Sequence, residues 1–365
     1  MNRGPLSEIN LSALGNNLRI IRKIIGQRNI IAVVKADAYG HGSIEISRKL
    51  LIEGVSYLAV AYTGEAKILR ESGISAKIIV LFDSGDIEDF FDYNLIPVIY
   101  DINKAVQFSN AAVKRGIRIP VHLKIDTGMG RIGFNTENAV TDAVSISEME
   151  GVEIEGLLSH FSEADLSDRS YAVFQLGVFN RIRKNILEKC GRHLISHMAN
   201  SAAILSFEDA LLDAVRPGLM LYGYSPFSES HGLTPVMKIK TRILVIRNMN
   251  AGSPVSYGRT FVTKRDSRIA AIPVGYADGF SRMFSNNAFV LVRGVRAPVV
   301  GRVCMDLTMI DVTEVEDISE GDEVVILGQQ GNEMIEATEL ASRINTIPYE
   351  IITSLGNRAR KEYIN

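Results

Sequence analysis

The sequence predicts an α/β chain: a (β/α)8 barrel over residues 10–228, then a mainly antiparallel β domain over 229–365, joined by residues 1–9. Three observations predict it. Eight short apolar runs between residues 29 and 217 lack polar alternation, as strands covered on both faces do. Helical patterns separate them, and eight strands with a helix after at least seven spell a closed parallel barrel more readily than an open sheet. After 225–234, with Pro226, Gly232 and Pro235 in or beside it, strand-like runs are joined by Gly-bearing turns too short for crossover helices.

A helix over 12–25 comes first, with Leu14, Leu18, Ile21 and Ile25 on one face. The barrel strands follow at 30–34, 57–61, 77–82, 96–100, 120–125, 153–159, 193–197 and 213–215. The clearest helix is 167–190, where Tyr171, Phe174, Val178, Ile182 and Ile186 recur at spacings of three and four, Ser167 suits an N-cap and Gly191 the C′ position. The second domain carries strands at 238–247, 268–274, 288–293, 295–303, 307–312 and 323–327, and one short helix at 338–344.

Composition narrows the function classes. Of 365 residues, 46 % are hydrophobic and 22 % charged, which is ordinary for a globular core and excludes disorder. Forty basic against 42 acidic residues leave −2, with no basic surplus for nucleic acid or anionic lipid. No apolar run approaches a membrane span, and the N-terminus carries no secretory pattern. Cys190 and Cys304 form neither a disulfide framework nor a metal-ligand spacing, so the expectation is a cytoplasmic protein without a metal.

Barrels place chemistry at the carboxyl ends of their strands. Read there, the first strand ends in Lys35, the fifth carries Lys124 and Asp126 and leads to Arg131, and the sixth ends in His160. The seventh leads to Asn200 and Ser201, and the eighth ends in Arg216, with Gly218 and Leu219 beyond. Singly, each residue also has an ordinary role: a solvated cap for Lys35, a satisfied core histidine for His160, His122, His193 or His197, an ion pair for Arg216, an N-cap for Ser201. Their joint placement at one rim carries the functional reading. Gly128-Met-Gly130-Arg-Ile-Gly133, with Glu153 twenty residues on, matches a dinucleotide fingerprint. It follows the fifth strand rather than opening the fold, holds Arg131 inside its turn and lacks a second mononucleotide half, so it reads as a decoy.

The block Ala32-Val-Val-Lys-Ala-Asp-Ala-Tyr-Gly-His-Gly42 resembles the alanine racemase family, enzymes of fold-type III that use pyridoxal 5′-phosphate (PLP). The resemblance runs nearly end to end, through Glu8-Ile-Asn-Leu11, 124–133, Ser159-His-Phe161, Ala199-Asn-Ser-Ala-Ala203, Val215-Arg-Pro-Gly218, Val255-Ser-Tyr-Gly258, Gly275-Tyr-Ala-Asp-Gly279, Gly301-Arg-Val-Cys-Met-Asp306 and Asn345-Thr-Ile-Pro-Tyr349. One departure is Pro5-Leu-Ser before Glu8, where the family often has an aromatic.

The resemblance implies that Lys35 binds PLP covalently and exchanges a proton on one face, while Tyr257, from a partner subunit, serves the other. It implies Arg216 facing the pyridine nitrogen, His160 bonded onward to Arg216, and the phosphate against Tyr39, Ser201, Gly218, Leu219 and Tyr349. Asn200 joins the cofactor-binding set. Arg131, Tyr276, Met305 and Asp306 are implied for substrate, Arg131 also for the cofactor phenolate, and Lys124 as a carbamylated lysine orienting Arg131. The implied enzyme is a homodimeric isomerase interconverting L- and D-alanine for peptidoglycan, with no nucleic-acid or membrane partner. A broader amino-acid racemase, a PLP decarboxylase, a non-catalytic PLP-binding barrel and an aldolase-type Schiff-base lysine are the alternatives.

Overall fold

In the computed structural model, which describes residues 4–82 and 85–365, eight parallel strands close a barrel. They are β1 (Asn29–Val33), β2 (Tyr57–Val60), β3 (Lys77–Val80), β4 (Ile96–Ile99), β5 (Ile119–Asp126), β6 (Val152–Leu158), β7 (Ile195–His197) and β8 (Ala214–Val215). Each pairs with the next, and Ala214 and Val215 pair with Asn29 and Ile30 to complete the ring. The expected α/β class and barrel are therefore present. Helices cover the outside because each leaves one apolar stripe to bury: in Leu11–Ile25, Leu14, Leu18, Ile21 and Ile25 are fully buried, and Asn10 Oδ1 accepts the Ala13 amide at 2.8 Å as the cap.

The long helix corrects its sequence reading in two places. It spans Ser170–Cys190, with Arg169 rather than Ser167 at the N-cap, and Asp168 accepts the Ser170 amide instead. Its buried face is Ala172, Gln175, Leu176, Phe179, Ile182 and Ile186, whereas Tyr171 and Phe174 stack on each other at the exposed side. Gly191 ends it with φ 65°, as its lack of a Cβ allows.

The chain divides into two units. One holds Gly15–Ala36 and Ser43–Thr234, the barrel; the other holds the N-terminal residues through Leu14, the segment Asp37–Gly42, and Pro235–Asn365. In the β unit, one sheet orders Val295–Pro298, Phe289–Val292, Glu323–Gln330, Met237–Arg242, Leu6–Asn10 and Arg360–Ile364. Leu6–Asn10 runs antiparallel to Met237–Arg242 and parallel to Arg360–Ile364, so the two ends of the chain lie side by side. A second sheet joins Val245–Met249, Ser267–Ile272 and Thr308–Asp311. The single strand expected at 238–247 is thus two strands in different sheets, and a helix at Pro348–Arg358 was not anticipated.

After β1 the chain makes one helical turn, Lys35–Tyr39, of unusual hand. Ala36, Asp37, Ala38 and Tyr39 all have φ between 52° and 54°, a left-handed run that costs about 1–2 kcal/mol per L-residue and needs support elsewhere. Inside the barrel, Gly156 of β6 is required by packing. A Cβ there would lie 2.5 Å from His122 Cε1 and 2.8 Å from the Ile195 carbonyl, and that backbone oxygen cannot move aside. Gly156→Ala is expected to lower stability by about 1–3 kcal/mol, read as a lower urea midpoint at unchanged slope.

Candidate active site

Three cations of the barrel unit gather around one ring. Lys35 Nζ and Lys124 Nζ each lie 5.4 Å from the Phe82 ring centroid, and the Arg131 guanidinium 5.3 Å from it. Lys124 is buried within β5, and Lys35 follows β1. Burial, with the charge of Arg131 next, lowers the Lys35 pKa below its ordinary value, against a weaker opposing pull from Glu65. The same two causes, joined by Arg216, bring Lys124 down to about 8. Burial first, and repulsion from the neighbouring cations second, favour the neutral amine at both lysines.

Glu65 fixes the backbone around Lys35. Its carboxylate accepts the amides of Ala36 at 2.5 Å and of Ala61 at 2.7 Å, tying the end of β1 to the end of β2. The glycine loop after β5 is held in the same manner. Asp126 accepts the amides of Gly128, Met129, Gly130 and Arg131 at 2.8–3.2 Å. Burial opposes ionisation of Asp126, but these four donors outweigh it and hold its pKa low. The amides that a dinucleotide pyrophosphate would need are already spent on this carboxylate, which gives the decoy its structural explanation.

Arg216, 6 % exposed, is the centre of a second network. Its guanidinium donates to the carbonyls of Ser159 (2.6 Å), His197 (2.7 Å) and Met198 (3.1 Å). It also lies 2.6 Å from His197 Nδ1 and 3.3 Å from His160 Nδ1. Because an arginine only donates, His197 Nδ1 must accept, leaving its proton on Nε2, which is 2.8 Å from His122 Nδ1. Burial and the neighbouring Arg216 keep His160 and His197 neutral, and burial holds His122 down to about 4. Even the Arg216 pKa falls to about 10, chiefly from burial. His197 and His122 are buried, as core histidines are, but they orient Arg216; their position at the inward face of β7 and β5 was the available signal. His193, by contrast, is exposed beside Asp213.

Ser201 and Asn200 exchange the roles a simple capping rule assigns. Asn200 Oδ1 caps Ser201–Ser206 by accepting the Ala203 amide at 3.0 Å. Ser201 Oγ, buried, instead accepts the amides of Gly218 and Met220 at 3.1 and 3.3 Å. Leu219 is buried beside them. Gln175, passed over in the sequence, is fully buried and donates to the His160 carbonyl at 3.2 Å while accepting from Ser162, so the long helix braces the end of β6.

In the β unit, three separate sequence blocks converge. The amides of Tyr276 and Ala277 donate to the carbonyls of Cys304 and Met305, both at 3.0 Å, and Ser256 Oγ donates to the Arg302 carbonyl at 2.6 Å. That brings Tyr257, Tyr276, Met305 and Asp306 to the surface of one unit; Tyr257 is 69 % exposed and Met305 54 %. Arg358 pairs with Asp306 at 3.0 Å and Asp278 at 3.3 Å. Tyr39 is buried with its ring 5.9 Å from that of half-buried Tyr349, and burial together with Tyr349 raises its pKa. Among the described residues no cluster of His, Cys, Asp or Glu could hold a metal, and no helix is long and apolar enough to cross a membrane.

Comparison with known proteins covers the whole chain. Residues 9–226 match the family model "Alanine racemase, N-terminal domain" and residues 236–363 "Alanine racemase, C-terminal domain". The alanine racemase of Thermodesulfovibrio yellowstonii is 49 % identical over 100 % of this chain and 99 % of its own. That of Clostridium difficile superimposes with a TM-score of 0.94 at 35 % identity, covering 100 % and 96 % of the two chains. A Bartonella henselae alanine racemase solved with covalently bound pyridoxal phosphate gives 0.89 at 30 %, covering 99 % of each. With fold, sequence and both domain models in agreement, the chain belongs to the alanine racemase family, whose members are isomerases.

Proposed function

We propose that this protein interconverts L- and D-alanine, using PLP bound covalently through Lys35 and two proton-transfer groups of its own, Lys35 and Tyr257. The observation that carries the reading is the set of four basic side chains, Lys35, Lys124, Arg131 and Arg216, gathered at the rim of the barrel, where burial first and the neighbouring cations second lower the pKa of Lys35, Lys124 and Arg216. No carboxylate is among the hydrogen-bond partners found for the Arg216 guanidinium. Such a set suits a phosphorylated, phenolate-bearing pyridine. PLP, when bound, supplies an electron sink that acidifies the Cα–H of the amino acid.

The chain's own residues would then act as follows. Lys35, its pKa lowered by burial and by Arg131, would be nucleophilic when neutral, would hold the cofactor, and would hold or return a proton on one face of the substrate. Arg216 would direct a hydrogen bond at the pyridine nitrogen without surrendering its proton as readily as a carboxylic acid, which would favour simple proton exchange over transamination. Its aim is set by His197 and three backbone carbonyls. Ser201, the Leu219 amide, Tyr39 and Tyr349 are assigned to the phosphate, as is the Gly218 amide, which would exchange its Ser201 Oγ acceptor for a phosphate oxygen, with Asn200 beside them; Arg131 would serve the phenolate and the substrate carboxylate. Carbamylation would turn Lys124 from a cation repelling Arg131 into an anion orienting it.

Racemisation needs a proton group on the opposite face, since one base on one face returns the proton where it came from. Tyr257 is assigned that role as a residue of the partner subunit in a homodimer, with Tyr276, Met305 and Asp306 bounding the substrate. Its support is exposure: Tyr257, Tyr276, Met305 and Leu307 leave an apolar patch open on the β unit, as a surface awaiting a second copy would. Supply of D-alanine to peptidoglycan in the cytoplasm is the role this activity would have.

Two outcomes test the reading. Tyr257→Phe is expected to retain PLP, yet to slow α-proton exchange by about 10²–10⁴-fold in one stereochemical direction; normal exchange of both enantiomers in deuterated water would refute the two-base scheme. Lys124 reacts with CO2 only when neutral, so with its pKa near 8 a 13C-bicarbonate carbamate signal should grow as pH rises through about 8. That signal should vanish in Lys124→Ala, and its persistence would remove Lys124 from the scheme.

A further inference from the structure

The left-handed turn after Lys35 packs against the C-terminal segment over much of its length. Asp37–Gly42 belongs to the same unit as Pro348–Arg358 and Arg360–Ile364. Lys361 Nζ lies 3.0 Å from Asp37 Oδ2 and donates to the Gly356 carbonyl at 3.0 Å, bridging turn and helix. Gly40 meets the helix backbone directly: a Cβ there would lie 2.7 Å from the Ile352 carbonyl and 3.2 Å from Gly356 Cα. Gly356 is equally closed by the Gly40 carbonyl, and the Tyr363 hydroxyl fills the space a side chain on Gly42 would occupy.

The turn is closed from within by His41. Its Nδ1 lies 3.0 Å from the carbonyls of both Ala38 and Tyr39, so it donates to them and satisfies acceptors that a run of this hand leaves without a helical continuation. Burial, opposed only in part by those two bonds, holds the ring neutral with a pKa of about 4, which fixes Nδ1 as the protonated nitrogen. Ala38 and His41 are fully buried, and Tyr39 presents its ring to Tyr349. None of Ala36, Asp37, Ala38 or Tyr39 is glycine, and only Asp37 is of a type that visits this region, so residue preference does not sustain the run as a whole.

We propose that the C-terminal strand is a positioning clamp: Lys361 and Tyr363, acting on Asp37 and Gly42 over the Gly40–Gly356 seam, hold the chain that leaves Lys35 in its left-handed form. Residues near the very end of the sequence thereby set the backbone that carries Lys35 and Tyr39. They touch no reacting atom. The consequence for cofactor retention rests on the function proposed above; the clamp itself does not.

Trypsin cleavage after Lys35 in the full-length, PLP-free protein reads the turn directly, since cleavage requires local opening of Ala36–Gly42. Lys361→Met, Asp37→Asn and the double variant form a cycle, asparagine being a residue that tolerates the left-handed region. Each single variant is expected to speed cleavage after Lys35 at least tenfold, relative to cleavage elsewhere in the chain, with the double variant no faster than the quicker single one. PLP affinity, measured by equilibrium dialysis, is expected to weaken in parallel. Unchanged cleavage, strictly additive effects, or acceleration at all sites alike would overturn the clamp. Wild-type protein that binds no PLP while the cycle behaves as stated would instead refute the proposed function and leave the clamp standing.

Discussion

Repulsion among basic groups in a poorly solvated place is the constraint on which the rest of the barrel rim depends. Lys35, Lys124, Arg131 and Arg216 come from the ends of three strands, β1, β5 and β8, and burial, with the neighbouring cations next, lowers the pKa of Lys35, Lys124 and Arg216. The fold answers with devices that hold each group in place. Phe82 offers its π-face to three of them, Glu65 and Asp126 bind backbone amides rather than pairing off the side chains, and Arg216 is given neutral acceptors. A carboxylate against Arg216 would relieve its charge, and would also remove its capacity to direct a hydrogen bond at a ligand atom. The histidine pair at 2.8 Å supplies orientation without neutralisation.

The β unit solves a different problem, that of holding an unfavourable backbone conformation. Four consecutive non-glycine residues sit at φ near 53°, and the compensation is tertiary: a glycine–glycine seam, a lysine bridge and an internal histidine cap. Strain of this kind persists only where its surroundings over-determine it, and it concentrates at functional sites. Pairing of Leu6–Asn10 with Arg360–Ile364 ties the clamp to the first strand of the chain, so both termini contribute to one structure.

Much of the fold was legible because barrel strands are apolar on both faces and short, and all eight expected runs overlap observed strands. Polar residues gathered at strand ends were legible for the same topological reason. What stayed hidden followed from physics that sequence patterns do not encode. Arg360–Ile364 is Arg-Lys-Glu-Tyr-Ile, too polar to announce a strand, and exists because Leu6–Asn10 offers it an edge. Ala36–Tyr39 contains no glycine to signal positive φ. Ser167 suits a cap by residue type and Ser201 has a cap as its ordinary role, but Asp168 and Asn200 stand where the chain turns. The stripe of Tyr171 and Phe174 matched helical spacing yet lies on the exposed side, since period alone does not say which way an apolar face points.

The central claim is that Lys35, kept nucleophilic by burial beside Arg131, is the residue to which PLP is joined. Borohydride reduction of the PLP-loaded protein, followed by peptide mass mapping, tests it most directly. The account predicts the reduced pyridoxyl adduct on the peptide containing Lys35 and on no other. An adduct on Lys124 with Lys35 unmodified would contradict it.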